Sequence, residues 1–203
     1  MAKEMIKSAK ENGASLAKFQ LYDAEDDKGT SHYRWVKDHE LTFEQAKELF
    51  DYGESIGMEV FFSVFGVKYV EWCEKIGVKR YKIACGVSSG DILGAIIATE
   101  KPMIISRNGH EFWSAHDTIY CIPKYPAQIS DYKDMNELNY DGLSDHTIGL
   151  DLCEIWLARH SRTTIEKHFV LKHNSQFPDD KWSMTPSELK ELVRWENVCR
   201  EVL

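Results

Sequence analysis

Strand-like and helix-like segments alternate along almost the whole chain, and this alternation constrains the fold more than any other feature. Short runs rich in β-branched and aromatic residues are each followed by a longer segment whose apolar residues recur at the helical period. The predicted strands are residues 15–22, 58–65, 80–85, 101–107, 118–126, 140–146 and 163–171. The predicted helices are residues 2–12, 41–57, 67–77, 90–100, 128–138 and 148–160, with a last helix from Thr185. This order predicts an α/β fold with a parallel sheet covered by helices.

Two of the predicted helices begin with recognisable capping sequences. Thr42 and Gln45 have the spacing of a capping box, in which each side chain accepts a hydrogen bond from the other residue's backbone N–H. In the last helix, Thr185 is followed by a proline at the first helical position and by Glu188 at the third. These signals place the two helix starts at single residues.

Polar side chains stand at or near the C-terminal end of every predicted strand. They are Lys18 and Gln20, Ser63, Lys82, Ser106, Tyr125, Ser144 and His146, and Glu166 and His168. An open doubly wound sheet would concentrate its chemistry at one switch point and would usually carry a glycine-rich phosphate turn, and no such motif occurs in the sequence. Polar groups at the ends of seven successive strands indicate a TIM-type (β/α) barrel, with its chemistry at the C-terminal mouth.

Composition excludes several functional classes. The 203 residues are 43% apolar with no linker-like stretch, which predicts a single domain over residues 1–203. A net charge of -8 without a basic run argues against binding nucleic acid or a membrane surface. Five cysteines without a CxxC pair argue against a disulfide framework. With no signal peptide or membrane span in the sequence, we expect a cytoplasmic protein.

Seven short motifs follow one another along the chain: KFQ (18–20), YKIACG (81–86), KPMIIS (101–106), CIPKYP (121–126), GLSDHT (142–147), IEKHF (165–169) and FPDDKWSMTPSE (177–188). In this order they resemble the barrel domain of the sialic acid synthase family. The resemblance implies a transferase of carbohydrate biosynthesis that condenses phosphoenolpyruvate with N-acetylmannosamine, its 6-phosphate or a related amino sugar. The product would be a nine-carbon sialic-acid-like sugar acid.

The resemblance also implies a divalent metal, manganese or magnesium, held by His146 and His168. Such a metal would polarise the aldehyde oxygen of the sugar, which makes the carbonyl carbon electrophilic enough for attack. Because side chains alternate along a strand, Glu166 shares a face with His168, and Ser144 shares one with His146. Glu166 is therefore the candidate to orient water or move a proton. Asp145 and Lys167 should point to the other side, and we expect Asp145 to be structural.

The remaining candidate residues are assigned to the two substrates by the same resemblance. Lys18 and Lys82 would hold the phosphate and carboxylate of phosphoenolpyruvate, and burial of an unpaired ammonium is costly enough to favour such a role. Hydroxyl donors to the same anion would be Ser106 and Ser144. The sugar site would be lined by Gln20, Tyr125 and Asp179.

Several departures from the family pattern lead us to expect an incomplete barrel with impaired activity. The sequence starts within the first helix, without the family's opening strand and its glutamate, and it ends before the C-terminal antifreeze-like domain, which in the family's dimer reaches over the partner's active site. The resemblance also implies that the protein is a homo-oligomer, a dimer. Residues 107–117 are too short for a full crossover helix, and their His110 and His116 are expected to be surface residues. Near the expected substrate sites, Val64, Cys85 and Pro123 stand where the family usually has polar residues.

Three functional hypotheses remain open from the sequence. The first is a metal-dependent synthase that uses phosphoenolpyruvate and an amino sugar. The second is a barrel without turnover that serves as a binding or assembly module. The third is a different metal-dependent barrel lyase or aldolase that has drifted from the family.

Overall fold

A computed structural model describes residues 1–87, 89–109, 117–135, 139–160, 163–174 and 177–202. The α-helices are α1 (Ala2–Glu11), α2 (Tyr33–His39), α3 (Phe43–Ile56), α4 (Val67–Ile76), α5 (Gly90–Ile97), α6 (Asp151–Leu157) and α7 (Pro186–Val202). The strands are β1 (Leu16–Leu21), β2 (Glu59–Val64), β3 (Tyr81–Ile83), β4 (Met103–Arg107), β5 (Asp117–Cys121), β6 (Gly142–Asp145) and β7 (Thr164–Lys167). Short 3-10 helices occupy Ala24–Asp27, Ile129–Tyr132 and Pro178–Trp182.

The chain divides into two compact units. The first unit comprises Leu16–Met103, and the second comprises Met1–Ser15 together with Ile104–Leu203. In the first unit β1 pairs with β2 and β2 pairs with β3, always in parallel. In the second unit β4, β5, β6 and β7 pair in chain order, again in parallel. The predicted α/β architecture with parallel strands is therefore confirmed in both units.

The two faces of the strands in the first unit are distinguished by their contacts with helices. A β carbon on Gly53 of α3 would collide with the side chain of Val60, so Val60 points toward α3. The hydroxyl of Tyr81 donates a hydrogen bond to Glu74 of α4, at 2.6 Å, so Tyr81 also points toward the helices. The residues next in sequence to these, which alternate with them, lie on the opposite face.

In the second unit, α6 covers one face of the strands and α1 packs against α7. The thiol of Cys153 in α6 donates a hydrogen bond to Asp145 of β6, at 3.1 Å, which marks the helix-facing side of that strand. Trp156 of α6 is fully buried, and its indole N–H donates to the hydroxyl of Thr163, at 2.7 Å. Asp145 therefore points toward α6, and its neighbour Ser144 points to the opposite face of the strand.

The local helix signals are confirmed in detail. The backbone N–H of Thr42 donates to Gln45 and the backbone N–H of Gln45 donates to Thr42, at 2.9 and 3.2 Å, which completes the capping box. At α7 the backbone N–H of Thr185 donates to Glu188, at 2.7 Å. These hydrogen bonds satisfy N–H groups that a helix start would otherwise leave unpaired.

The structure differs from the sequence prediction at two helices and at two strands, since the strands predicted at 118–126 and 163–171 end at Cys121 and Lys167. The helix predicted at residues 128–138 is reduced in the described part to the 3-10 helix Ile129–Tyr132, and residues 136–138 lie outside the described residues. Helix α2 was not predicted, because it buries no residue and so shows no apolar periodicity. We also predicted a short crossover after β4 that contains His110 and His116. Residues 110–116 lie outside the described residues.

Among the described residues, no helix combines the length and the apolar character that a membrane span requires.

We predict that Gly142→Ala destabilises the second unit by about 1–3 kcal/mol, the usual cost of overpacking a buried site. A β carbon at this position would overlap the carbonyl oxygen of Thr164 and lie 2.7 Å from a methyl of Ile119. Urea unfolding followed by circular dichroism gives the free energy of unfolding. The matched control is Gly94→Ala in α5, where no described atom lies within 4 Å of the added carbon. This control should gain about 0.5–1 kcal/mol in helix stability. Equal stabilities of the two variants would contradict the packing described here.

Candidate active site

A row of polar side chains crosses the first unit on the face turned away from its helices. In the strand register Gln20 is the partner of Ser63, and Ser63 is the partner of Lys82. Neighbouring residues in a parallel register point to the same face, and Lys82 alternates with the helix-facing Tyr81. Lys18 lies two residues before Gln20 and shares its face. The structure thus brings the predicted residues of this unit together as one group.

Lys82 is the most deeply buried cation of this row. Its side chain is 1% exposed, and the ammonium donates a hydrogen bond of 2.8 Å to the backbone carbonyl of Ile83. Lys18 is half-buried and Gln20 is exposed. Burial of an ammonium is costly unless anionic or polar partners compensate for lost hydration. A row with two lysines, an amide and a hydroxyl is chemically suited to a small anion such as a phosphate or carboxylate.

Ser63 is a further member of this row, and although it stands near a predicted strand end it was not predicted as a site residue. It is fully buried, and its hydroxyl has no hydrogen-bond partner in the described part of the chain. Native proteins pair the large majority of such buried groups. Val64, by contrast, alternates with Ser63 and lies on the side of Val60, toward the helices. Strand alternation could have selected Ser63 from the sequence, whereas its unpaired state is visible only in three dimensions.

The second unit carries its own group of polar residues on the face opposite α6. Cys121 of β5, Ser144 of β6 and Glu166 of β7 are successive register partners. The hydroxyl of Ser144 donates a hydrogen bond of 2.8 Å to a carboxylate oxygen of Glu166. Ser106 of β4 is a register partner of Ile119, which is on the same face as Cys121. Ser106 and Ser144 are both buried, and Glu166 is half-buried.

Two imidazoles lie just beyond the ends of β6 and β7. The ring centroids of His146 and His168 are 5.4 Å apart. Nδ1 of His146, a buried residue, lies 3.9 Å from the sulfur of Cys121. Nδ1 of His168 lies 3.4 Å from a carboxylate oxygen of Asp179, in the 3-10 helix before α7. The structure therefore brings together the two histidines that the sequence predicted as a pair.

Aromatic rings surround this imidazole pair. Tyr125 packs edge-on against His146, with 4.5 Å between ring centroids, and is 53% exposed. Trp182, which the sequence analysis did not select, approaches both Tyr125 and His168. Its indole N–H is buried without a hydrogen-bond partner among the described residues. This tryptophan belongs to the FPDDKWS motif, but the motif does not predict which residues it contacts.

Asp179 also lies beside the pair, through its contact with His168. Burial raises the pKa of its carboxyl above the ordinary aspartate value. An aspartate that orients a metal-binding imidazole typically accepts from the ring nitrogen that does not bind the metal. The position of Asp179 suits that arrangement as well as the contact with sugar that the sequence predicted.

The donor atoms of this group fit a divalent metal. Because bonds from imidazole nitrogen to a metal are about 2.0–2.1 Å long, rings as close as these can share one ion. Imidazoles combined with oxygen donors suit manganese and other first-row ions. The described residues contain no group of three or more His, Cys, Asp or Glu side chains arranged for a metal. Water or substrate oxygens would have to complete the coordination.

An ion pair lies behind the imidazole pair, on the helix-facing side of the strands. The ammonium of Lys167 is 2.6 Å from a carboxylate oxygen of Asp145, and both side chains are at most 1% exposed. This placement agrees with the prediction that both residues point away from Ser144 and Glu166. Burial, together with the nearby Asp145 carboxylate, raises the pKa of the Cys153 thiol well above its ordinary value. Cys153 is therefore a neutral hydrogen-bond donor within this network.

Comparison with known proteins shows what the chain resembles. The NeuB family model matches residues 5–202. An uncharacterized protein of Methanocaldococcus jannaschii is 34% identical, over 95% of this chain and 64% of the relative. The pseudaminic acid synthase of Helicobacter pylori is 28% identical, over 95% of this chain and 68% of the relative. This chain therefore spans about two thirds of the length of these curated relatives.

A solved structure shows the same fold. The N-acetylneuraminic acid (sialic acid) synthetase of Leptospira borgpetersenii, crystallised with citrate, superposes with a TM-score of 0.83 at 23% sequence identity. The match covers 99% of this chain and 78% of that chain. At this level of identity the similarity shows the fold alone.

We predict that Ser63→Ala leaves the free energy of unfolding unchanged or raises it. Removing an unpaired buried hydroxyl removes a desolvation cost of about 1–3 kcal/mol, which offsets the small cavity that is left. The matched control is Ser144→Ala, another buried serine in a strand, whose hydroxyl is bound to Glu166. That control should lose about 1 kcal/mol or more. Thermal and urea unfolding compare the two variants, and a Ser63→Ala loss as large as that of the control would show that its hydroxyl has a partner.

Proposed function

Because the chain belongs to the NeuB family, we propose that it carries the catalytic groups of a synthase that uses phosphoenolpyruvate. The acceptor is an amino sugar of the N-acetylmannosamine type or its 6-phosphate, and the products are a nine-carbon sugar acid and inorganic phosphate. The pseudaminic acid synthase among the relatives supports this class of reaction. The observation that carries it is the close pair His146 and His168 beside the Ser144–Glu166 hydrogen bond.

We assign phosphoenolpyruvate to the polar row of the first unit. This substrate carries a phosphate and a carboxylate, so it needs fixed positive charge and hydrogen-bond donors. Lys82 is already held in place by the carbonyl of Ile83, and Lys18 supplies a second ammonium. Cations held in a buried site also stabilise the charge that develops on the phosphate as it leaves. The hydroxyl of Ser63, which has no partner among the described residues, is one more donor in the same row.

We assign the activation of the sugar to the second unit. His146 and His168 would hold a divalent ion, manganese or magnesium, which supplies polarisation of the aldehyde oxygen when bound. Tyr125, which is exposed at the imidazole pair, and Asp179, beside His168, present a phenol and a carboxylate to the hydroxyl and N-acetyl groups of a sugar.

The atom balance of the reaction defines the task of Glu166. A bond forms between C3 of phosphoenolpyruvate and the aldehyde carbon, a water oxygen adds at C2, and the bond between C2 and the phosphate oxygen breaks. One proton of the water ends on the aldehyde oxygen and the other on phosphate. Glu166 is a half-buried carboxylate, one oxygen of which is held by Ser144. We assign to its carboxylate the transfer of a proton between water and the reacting atoms.

We predict that the chain releases phosphate from phosphoenolpyruvate only when Mn²⁺ or Mg²⁺ and a suitable amino sugar are both present. The assay follows inorganic phosphate across a panel of N-acylated mannosamines and their 6-phosphates, with a chelator as control. The dependence on sugar arises because the carbon nucleophile reacts only with an activated aldehyde. Binding without turnover would favour the binding module, and turnover of another carbonyl compound without phosphoenolpyruvate would favour the lyase or aldolase.

We predict that Glu166→Gln lowers kcat by about 10²–10⁴-fold, the usual contribution of a general acid or base. The KM for phosphoenolpyruvate should change only a few-fold, because the amide keeps the size and one acceptor oxygen of the side chain. The matched control is Glu191→Gln, a substitution at an exposed position of α7, which should leave both constants unchanged. Glu166→Gln with the kcat of the unchanged protein would remove this residue from the proposed mechanism.

A further inference from the structure

The buried ion pair between Asp145 and Lys167 is not used by the proposed chemistry. Its two charged atoms are 2.6 Å apart, and the side chains are 0% and 1% exposed. Burying two charges costs hydration energy, which the attraction between them often fails to recover, so that apolar residues of similar size can be equally stable. The presence of a fully buried pair at this place therefore calls for a reason other than stability.

The hydrogen bonds of this pair enclose the backbone on both sides of His146. Asp145 precedes this histidine, and its carboxylate accepts a hydrogen bond from the backbone N–H of Thr147, at 2.7 Å. Thr147 follows the histidine, and its carbonyl accepts a hydrogen bond from the ammonium of Lys167, at 2.8 Å. A single lysine of β7 therefore binds both residues that flank His146, just beyond the end of β6.

The same lysine stands between two residues of the candidate site on its own strand. Glu166 precedes Lys167 and His168 follows it. The backbone pairing of β6 and β7 reaches Asp145 and Lys167 and ends there. Beyond that point the two histidine carbonyls bind other neighbours: Ala127 N–H donates to His146, and Met184 N–H donates to His168, at 2.9 and 2.8 Å. The ion pair thus links the strands at the last position before the imidazoles.

We propose that Asp145 and Lys167 are positioning residues that fix the distance between the two imidazoles. Beyond the last backbone pairing of β6 and β7, the ion pair and its hydrogen bonds to Thr147 hold the two strand ends together. Cys153, a neutral donor from α6, fixes the carboxylate from the helix side. The ion pair would affect metal binding only through His146 and His168, and this part of the inference rests on the proposed function. Its effect on the distance between the two rings does not depend on that function.

The test separates position from stability by using two kinds of variant. Lys167→Met alone leaves the Asp145 carboxylate buried without its cation, and it should lower the melting temperature strongly. The double variant Asp145→Leu with Lys167→Met replaces both charges by apolar groups, and it should regain most of that melting temperature. If alignment is the role of the pair, the double variant should still bind Mn²⁺ about 10–100-fold more weakly than the unchanged protein. Calorimetric titration with Mn²⁺ alone gives these affinities.

A matched control and a metal-free readout complete the design. The control replaces the exposed pair Asp51 and Lys47 of α3 by the same two apolar residues, and it should leave Mn²⁺ affinity unchanged. In metal-free protein, nuclear Overhauser contacts between the rings of His146 and His168 should be present and should be lost in the Asp145–Lys167 double variant.

Each outcome decides a different claim. Ring contacts that persist in a folded double variant would overturn the positioning role, as would an unchanged affinity for Mn²⁺. Failure of the unchanged protein to bind Mn²⁺ would instead contradict the metal role in the proposed function, while the ring contacts would still decide the role of the ion pair.

Discussion

Side-chain alternation along paired parallel strands is the constraint on which the rest of this structure depends. It gives each strand one face for packing against helices and one face for polar groups. In the first unit, Tyr81 bonds to α4 while its neighbour Lys82 joins the polar row. In the second unit, Asp145 bonds to α6 while its neighbour Ser144 holds Glu166. The parallel register then aligns these residues across strands, so that polar groups distant in sequence become neighbours.

Both faces of β6 and β7 carry buried or half-buried polar side chains. The helix-facing side of β6 and β7 carries a buried ion pair, and the opposite side carries a buried serine, a half-buried glutamate and two histidines. Polar groups at this density are costly to bury unless they are paired, and most of those described here are. The exceptions include the hydroxyls of Ser63 and Thr147 and the indole N–H of Trp182, which have no hydrogen-bond partner within the part of the chain that the structure describes. A ligand that forms hydrogen bonds with such groups would remove the free-energy cost of burying them without a partner.

Much of the fold could be predicted because its signals are local. The capping residues of α3 and α7 placed those helix starts within a residue, since the hydrogen bonds involved span only three positions. Alternation predicted that Ser144 shares a face with His146 and that Glu166 shares one with His168, whereas the hydrogen bond between Ser144 and Glu166 depends on strand register. The predicted helix at 128–138 was wrong over its described part, because only one 3-10 turn forms there. Helix α2 escaped prediction because an exposed helix has no apolar stripe. The bonds from Lys167 to Asp145 and Thr147 depend on strand register, which the sequence does not state.

The proposed function requires that phosphoenolpyruvate lose its phosphate by cleavage of the bond between carbon and oxygen. The most direct measurement uses phosphoenolpyruvate labelled with ¹⁸O at the oxygen that bridges C2 and phosphorus, in the presence of Mn²⁺ and the acceptor sugar. Mass spectrometry of the products should find the label in the released phosphate and a new nine-carbon acid without it. Label that remains on the carbon product, which indicates cleavage between phosphorus and oxygen, would contradict the claim.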